Sequence, residues 1–223
     1  MNQEKYYEEK AAYELLEKYK DIGKKLMIIF WIMLVSNILS AVNLGIEILA
    51  TILRNAELKE NLGLISAILG CIAAFAIGVI IFTMRQYDEQ LGIAGITFLF
   101  SQVISSISAY LSNSCFESVL TLAASVMGII YIIKYTKALS ALTYNISCRI
   151  ADNWELLRKV YLGGLVTAVV CSFLLIVPGI NILAAIIIAI VMLVMLVISI
   201  WQMVLVFQTS RAMSKYELQL PEQ

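Results

Sequence analysis

Long apolar runs separated by short polar segments organise this chain from end to end. A helix crosses the hydrocarbon core of a bilayer with about 20 predominantly apolar residues. Six runs meet or approach that length: 26–46, 62–84, 91–111, 116–135, 160–177 and 182–207. The pattern predicts an all-α polytopic membrane protein with six transmembrane helices. The fifth and sixth runs are divided by Pro178, Gly179, Ile180 and Asn181, a helix-breaking sequence. Ahead of the first run, Ala12, Leu15, Leu16, Tyr19, Ile22 and Leu26 recur at helical spacing opposite Lys and Glu. Residues 1–25 therefore predict an amphipathic helix leading into the transmembrane domain of residues 26–207, and residues 208–223 form a tail. Tyr135, Leu139, Leu142, Ile146 and Ile150 make a further stripe, which predicts that the fourth helix projects beyond the membrane. Asp152 followed by Glu155 three residues on predicts a capping box that restarts a helix there.

Composition agrees with a membrane location. Of the 223 residues, 61% are hydrophobic and 14% charged, against roughly 45–50% and about 25% in soluble domains. Mean hydropathy is +0.88. Too little polar surface is present to cover a soluble core of this size, so a soluble enzyme is excluded. The 16 basic and 16 acidic residues cancel, which gives no case for nucleic acid as a partner; the bilayer is the expected partner.

The distribution of basic residues fixes an expected orientation. With six spans, one side collects Lys5, Lys10, Lys18, Lys20, Lys24, Lys25, Arg85, Lys134, Lys137, Arg149, Arg158, Lys159, Arg211 and Lys215. The other side has Arg54 and Lys59. By the positive-inside rule both termini are expected in the cytoplasm, with the protein integral to the plasma membrane. The first 25 residues carry six Lys and six acids, unlike the short basic start of a cleavable signal, so the first run is expected to stay as a span.

Two of the four Cys (Cys71, Cys171) fall inside spans and two (Cys115, Cys148) in loops. No disulfide is expected, and without His no metal site. The phosphate-loop, dinucleotide, zinc-protease and serine-nucleophile patterns are absent. Asp21, Asp88 and Asp152 are all expected near the cytoplasmic surface, and helix N-capping explains Asp88 and Asp152. No catalytic residue and no cofactor are expected.

A weak internal repeat adds architecture. Residues 36–42 (SNILSAV) align with 101–107 (SQVISSI), 65 positions on, and more faintly with 167–173 (TAVVCSF), a further 66 on. Tyr19, Tyr87 and Trp154 precede the three copies. The reading is three tandem hairpins. Two-span units keep all copies parallel, unlike the inverted repeats of many transporters, so a pseudo-threefold arrangement about the membrane normal is expected.

Ser36, Ser40, Asn43 and Glu47 share one helix face, and the repeat carries them onto Ser101, Ser105, Ser108 and Ser112; Asn37 corresponds to Gln102. In the third copy the stripe fades. Such groups either hydrogen-bond between packed helices, for about 0.6–2 kcal/mol each, or line a polar path. Gly70, Ala74 and Gly78, with Ala124 and Gly128, form small-xxx-small patterns that close helix pairs. Glu47 and Glu117, near outer span ends, are the acids closest to the membrane interior. The expected function is non-enzymatic: a subunit, scaffold or immunity-type factor acting through helix contacts, with a homo-oligomer or a partner membrane subunit. The alternative is a channel or small-solute transporter whose path is lined by Ser, Asn and Gln.

Overall fold

A computed structural model describes residues 3–52, 56–110, 115–174 and 179–216. They form α1 (Gln3–Ile52), α2 (Ala56–Thr83), a 3-10 turn (Met84–Gln86), α3 (Glu89–Tyr110), α4 (Cys115–Tyr144), α5 (Cys148–Leu174) and α6 (Asn181–Ser214). Five of these helices, all but α5, are long and apolar enough to cross a membrane. In α5 the first half carries Arg149, Asp152, Glu155, Arg158 and Lys159, so its apolar part begins only at Val160. That part continues to the edge of the described residues, and the expected Pro178 break lies outside them. The amphipathic N-terminal segment and the first apolar run are one unbroken helix of 50 residues, about 75 Å long at 1.5 Å per residue.

The start of α5 differs from the capping-box expectation. The Ser147 carbonyl accepts the amides of Ile150 and Ala151, so the helix is under way a turn before Asp152. Glu155 pairs with Lys159 at 3.0 Å and Arg158 at 3.7 Å instead of reaching back.

Each helix packs on its neighbours in sequence, and α6 packs on α1, so the six close into a ring. Burial is concentrated at the end that carries Tyr19, Met84, Tyr135, Trp154 and Met213. Here every interface in the ring has a specific tie. Tyr87 donates to Asp21 Oδ2 at 2.6 Å, joining α1 to the turn after α2. Gly95 of α3 lies against the Phe82 backbone of α2. Phe98 meets Tyr131 at 4.7 Å between α3 and α4. Ser140 of α4 donates to the Ala151 carbonyl at 3.1 Å. Trp154 Nε1 donates to Thr209 Oγ1 at 2.9 Å, linking α5 to α6. Ser210 donates to the Gly23 carbonyl at 2.6 Å and closes the ring between α6 and α1. We refer to this as the closed end.

The tie at Tyr87 is reinforced by Lys25, which sits 2.8 Å from Asp21 Oδ2 and 5.2 Å from the Tyr87 ring centre. Burial and then the adjacent Asp21 carboxylate push the Tyr87 hydroxyl up from 10.0 to about 12. A raised pKa means the neutral, donating phenol is favoured in the fold. Its contribution is constant below pH 10 and is lost as pH rises from 10 through about 12. Asp21→Asn is expected to lower stability by less than about 1 kcal/mol, because the site is partly exposed. The same variant should flatten the loss of thermal stability expected between those pH values, measured by circular dichroism in detergent.

Candidate functional site: the groove between α1 and α2

Away from the closed end the interfaces diverge in character. α3 and α4 remain bonded. Ser101 is buried and donates to the Ala124 carbonyl at 2.9 Å, and Ser108 lies 2.8 Å from Thr121 Oγ1 and 3.2 Å from the Glu117 carbonyl. Ala124 is buried, and a Cβ added at Gly128 would sit in ordinary contact, 3.6 Å from Ser101 Oγ. Replacing Ser108 by Ala is expected to lower stability by about 0.6–1.7 kcal/mol, the range for interhelical hydrogen bonds in membranes, in a thermal unfolding assay. Ser105 and Gln102 are exposed; the Gln102 carbonyl accepts from Ser106, whose hydroxyl also meets Cys71 of α2 at 3.5 Å.

α1 and α2 part instead. Between them runs a groove of about 550 Å³, with Ser36, Ser40 and Asn43 on the α1 wall and Ser66 and Gly70 on the α2 wall. The remainder of the lining is apolar, including Trp31, Leu39, Ile65 and Leu69. Among the described residues none from α3 lines it. The two polar stripes, equivalent in sequence, therefore stand in different places: that of α3 against α4, that of α1 along the groove. Asn37 points away from the groove, its Nδ2 3.9 Å from Met203 Sδ of α6. Glu47 belongs to α1, and its side chain lies outside the described residues, as do Ser112, Arg54 and the side chain of Cys115.

The small residues of α2 divide in the same way. At Gly78 an added Cβ would come within 2.6 Å of Leu99 Cγ, so α3 fills that position. At Gly70 an added Cβ would meet nothing within 4 Å. Ala74, between them, is partly buried. The pattern has one end occupied by this chain and one end open.

Several positioning residues escape a sequence reading. Gly95 and Gly23 allow the closest backbone approaches, to Phe82 and to Ser210 and Ser214. Thr209 and Ser210 are fully buried donors and acceptors at the closed end. A run of small residues at Gly92, Ala94 and Gly95 is the one local signal that points to the first of these.

Among the described residues no group of three His, Cys, Asp or Glu side chains is placed to hold a metal ion. At the closed end Phe98, Tyr131, Tyr135 and Trp154 make a continuous chain of aromatic contacts from α3 through α4 to α5, with successive centroids 4.7, 5.4 and 5.7 Å apart. The chain matches no family model, no curated protein and no solved structure.

Proposed function

We propose that this chain is a non-enzymatic, multi-pass subunit of a membrane complex, with six spans and both termini cytoplasmic. It accepts a transmembrane helix of a partner subunit in the groove between α1 and α2. The observation that carries the reading is the open Gly70 position on a groove wall with small residues at four-residue spacing. Ser36 and Ser40 on one wall face Ser66 and Gly70 on the other. Membrane helices associate where small residues let backbones approach and where hydroxyls reach across the contact. On α1 the lined stretch extends from Trp31 to Ile46, about 22 Å of helix, a length suited to a rod lying alongside.

The test follows from the difference between the two glycines. Gly70→Leu places its Cβ where nothing lies within 4 Å and projects into the groove, so the protein should accumulate in the membrane at the normal level. Its stability should change by less than about 0.5 kcal/mol. A partner that co-purifies with the normal chain should be lost. Retention of that partner by Gly70→Leu would refute the assignment of the groove.

A second reading, a small-solute path, is favoured by the polar side chains on the α1 wall. It differs in its consequence: Asn43→Leu would then abolish solute flux into liposomes containing the purified chain alone.

A further inference from the structure

A second cavity, of about 700 Å³, lies at the closed end between the start of α5 and the end of α6. Three cations line it: Arg149 from α5, Arg211 from the last turn of α6 and Lys215 at its C-cap. No carboxylate is among its lining residues, and none of the three takes part in an ion pair among the described residues. All three are exposed. Asn153 and Gln208 add amide donors to the same walls. The remaining lining is apolar, with Val204 and Phe207 at the end of the apolar run of α6 and Ile150 beside Arg149 on α5. Phe207 is held there by Phe30 of α1, with ring centroids 4.9 Å apart.

The order of residues along α6 gives the cavity its depth. Val204 and Phe207 end the apolar run, Gln208 follows, and Arg211 and Lys215 come one and two turns later on the same face. The cavity is therefore graded, apolar at the level of acyl chains and cationic at the level of headgroups. A concentration of positive charge with no carboxylate among its described lining residues wants an anion, and guanidinium groups bind phosphate oxygens in pairs. Basic cavities between membrane helices are suited to anionic headgroups.

We propose that this cavity binds the phosphate of an anionic membrane phospholipid, with Arg149, Arg211 and Lys215 on the headgroup and Val204 and Phe207 against the first part of an acyl chain. The site shares no lining residue with the α1–α2 groove and stands independently of the function proposed for it.

The test uses the full-length chain in neutral detergent micelles, with bound molecules counted by native mass spectrometry. Dioctanoyl phosphatidylglycerol should bind at concentrations where dioctanoyl phosphatidylcholine does not. The Arg149→Gln, Arg211→Gln, Lys215→Gln triple variant should bind it about a hundredfold more weakly, at roughly fivefold per removed charge. A control triple, Lys20→Gln, Lys24→Gln, Lys137→Gln, removes exposed charges from elsewhere on the closed end and should bind within about threefold of normal. Arg211→Gln alone, expected to weaken binding about fivefold, serves if the triple variant does not fold. Equal weakening by both triples would overturn the proposal in favour of general surface attraction. Equal binding of the two lipids would overturn it as well. Competition by inorganic phosphate as effective as the lipid itself would make this a site for a free anion and would refute the lipid assignment.

Discussion

Replacing Trp154 with alanine will lower the stability of the chain by about 3–5 kcal/mol, the range for removing a fully buried large aromatic side chain. Among the described residues Trp154 is the largest fully buried side chain, and it lies where α4, α5 and α6 meet. Its ring meets Tyr135 of α4 edge-on at 5.7 Å and 88°, and its indole N–H donates to the buried Thr209 hydroxyl of α6. Alanine removes both contacts and leaves a void between three helices, because neighbours held by their own ties collapse only in part. Trp154→Phe separates the effects: it keeps most of the volume but leaves Thr209 without the indole donor, for about 1–2 kcal/mol. Reversible unfolding in mixed detergent micelles, followed by circular dichroism, reads both variants. An alanine variant as stable as the normal chain would show that the closed end is not held by this residue.

Gly95→Leu is expected to separate α2 from α3, with a loss at or above the upper end of about 1–3 kcal/mol for overpacking. An added Cβ would stand 2.5 Å from the Phe82 nitrogen and 2.7 Å from its Cα. Those are backbone atoms inside a helix, so no side-chain rotation relieves the contact and one whole helix must move. The same substitution at Gly70 meets open space, which makes the pair an internal control for the cost of leucine in a helix. In the same unfolding assay the Gly95 variant should fall well below the Gly70 variant. Equal stability would mean that the α2–α3 contact is looser than the approach of Gly95 to Phe82 implies.

These two positions also mark how far the sequence could be read. The long apolar helices were legible, because a membrane demands uninterrupted apolar length and little else resembles it. Their partners were not legible. A helix apolar on all sides has no face that periodicity can single out, so the ring order and the parting of α1 from α2 depend on packing. The polar stripe illustrates the limit. Ser36 and Ser40 look equivalent to Ser101 and Ser105, yet one set lines a groove while Ser101 bonds the Ala124 carbonyl. Which neighbour stands opposite is not encoded in the stripe itself. The capping signal at Asp152 was overridden locally, since Ser147 offers its carbonyl a turn earlier. Gly95 falls outside the four-residue spacing that made Gly70 and Gly78 conspicuous, because its neighbour is a backbone segment and not a matching small residue. Trp154 and Thr209 are 55 residues apart, and no local pattern connects them.

Site-specific photocrosslinking in the native membrane tests the central claim most directly. A benzophenone side chain is placed at Ser40 or Ser66, on opposite walls of the groove, and for comparison at Leu122 of α4, which is 66% exposed. A partner helix in the groove predicts the same single protein adduct from Ser40 and Ser66, none from Leu122, and loss of that adduct when Gly70→Leu is added. Adducts to lipid alone from both groove positions, or protein adducts equally strong from Leu122, would contradict the account.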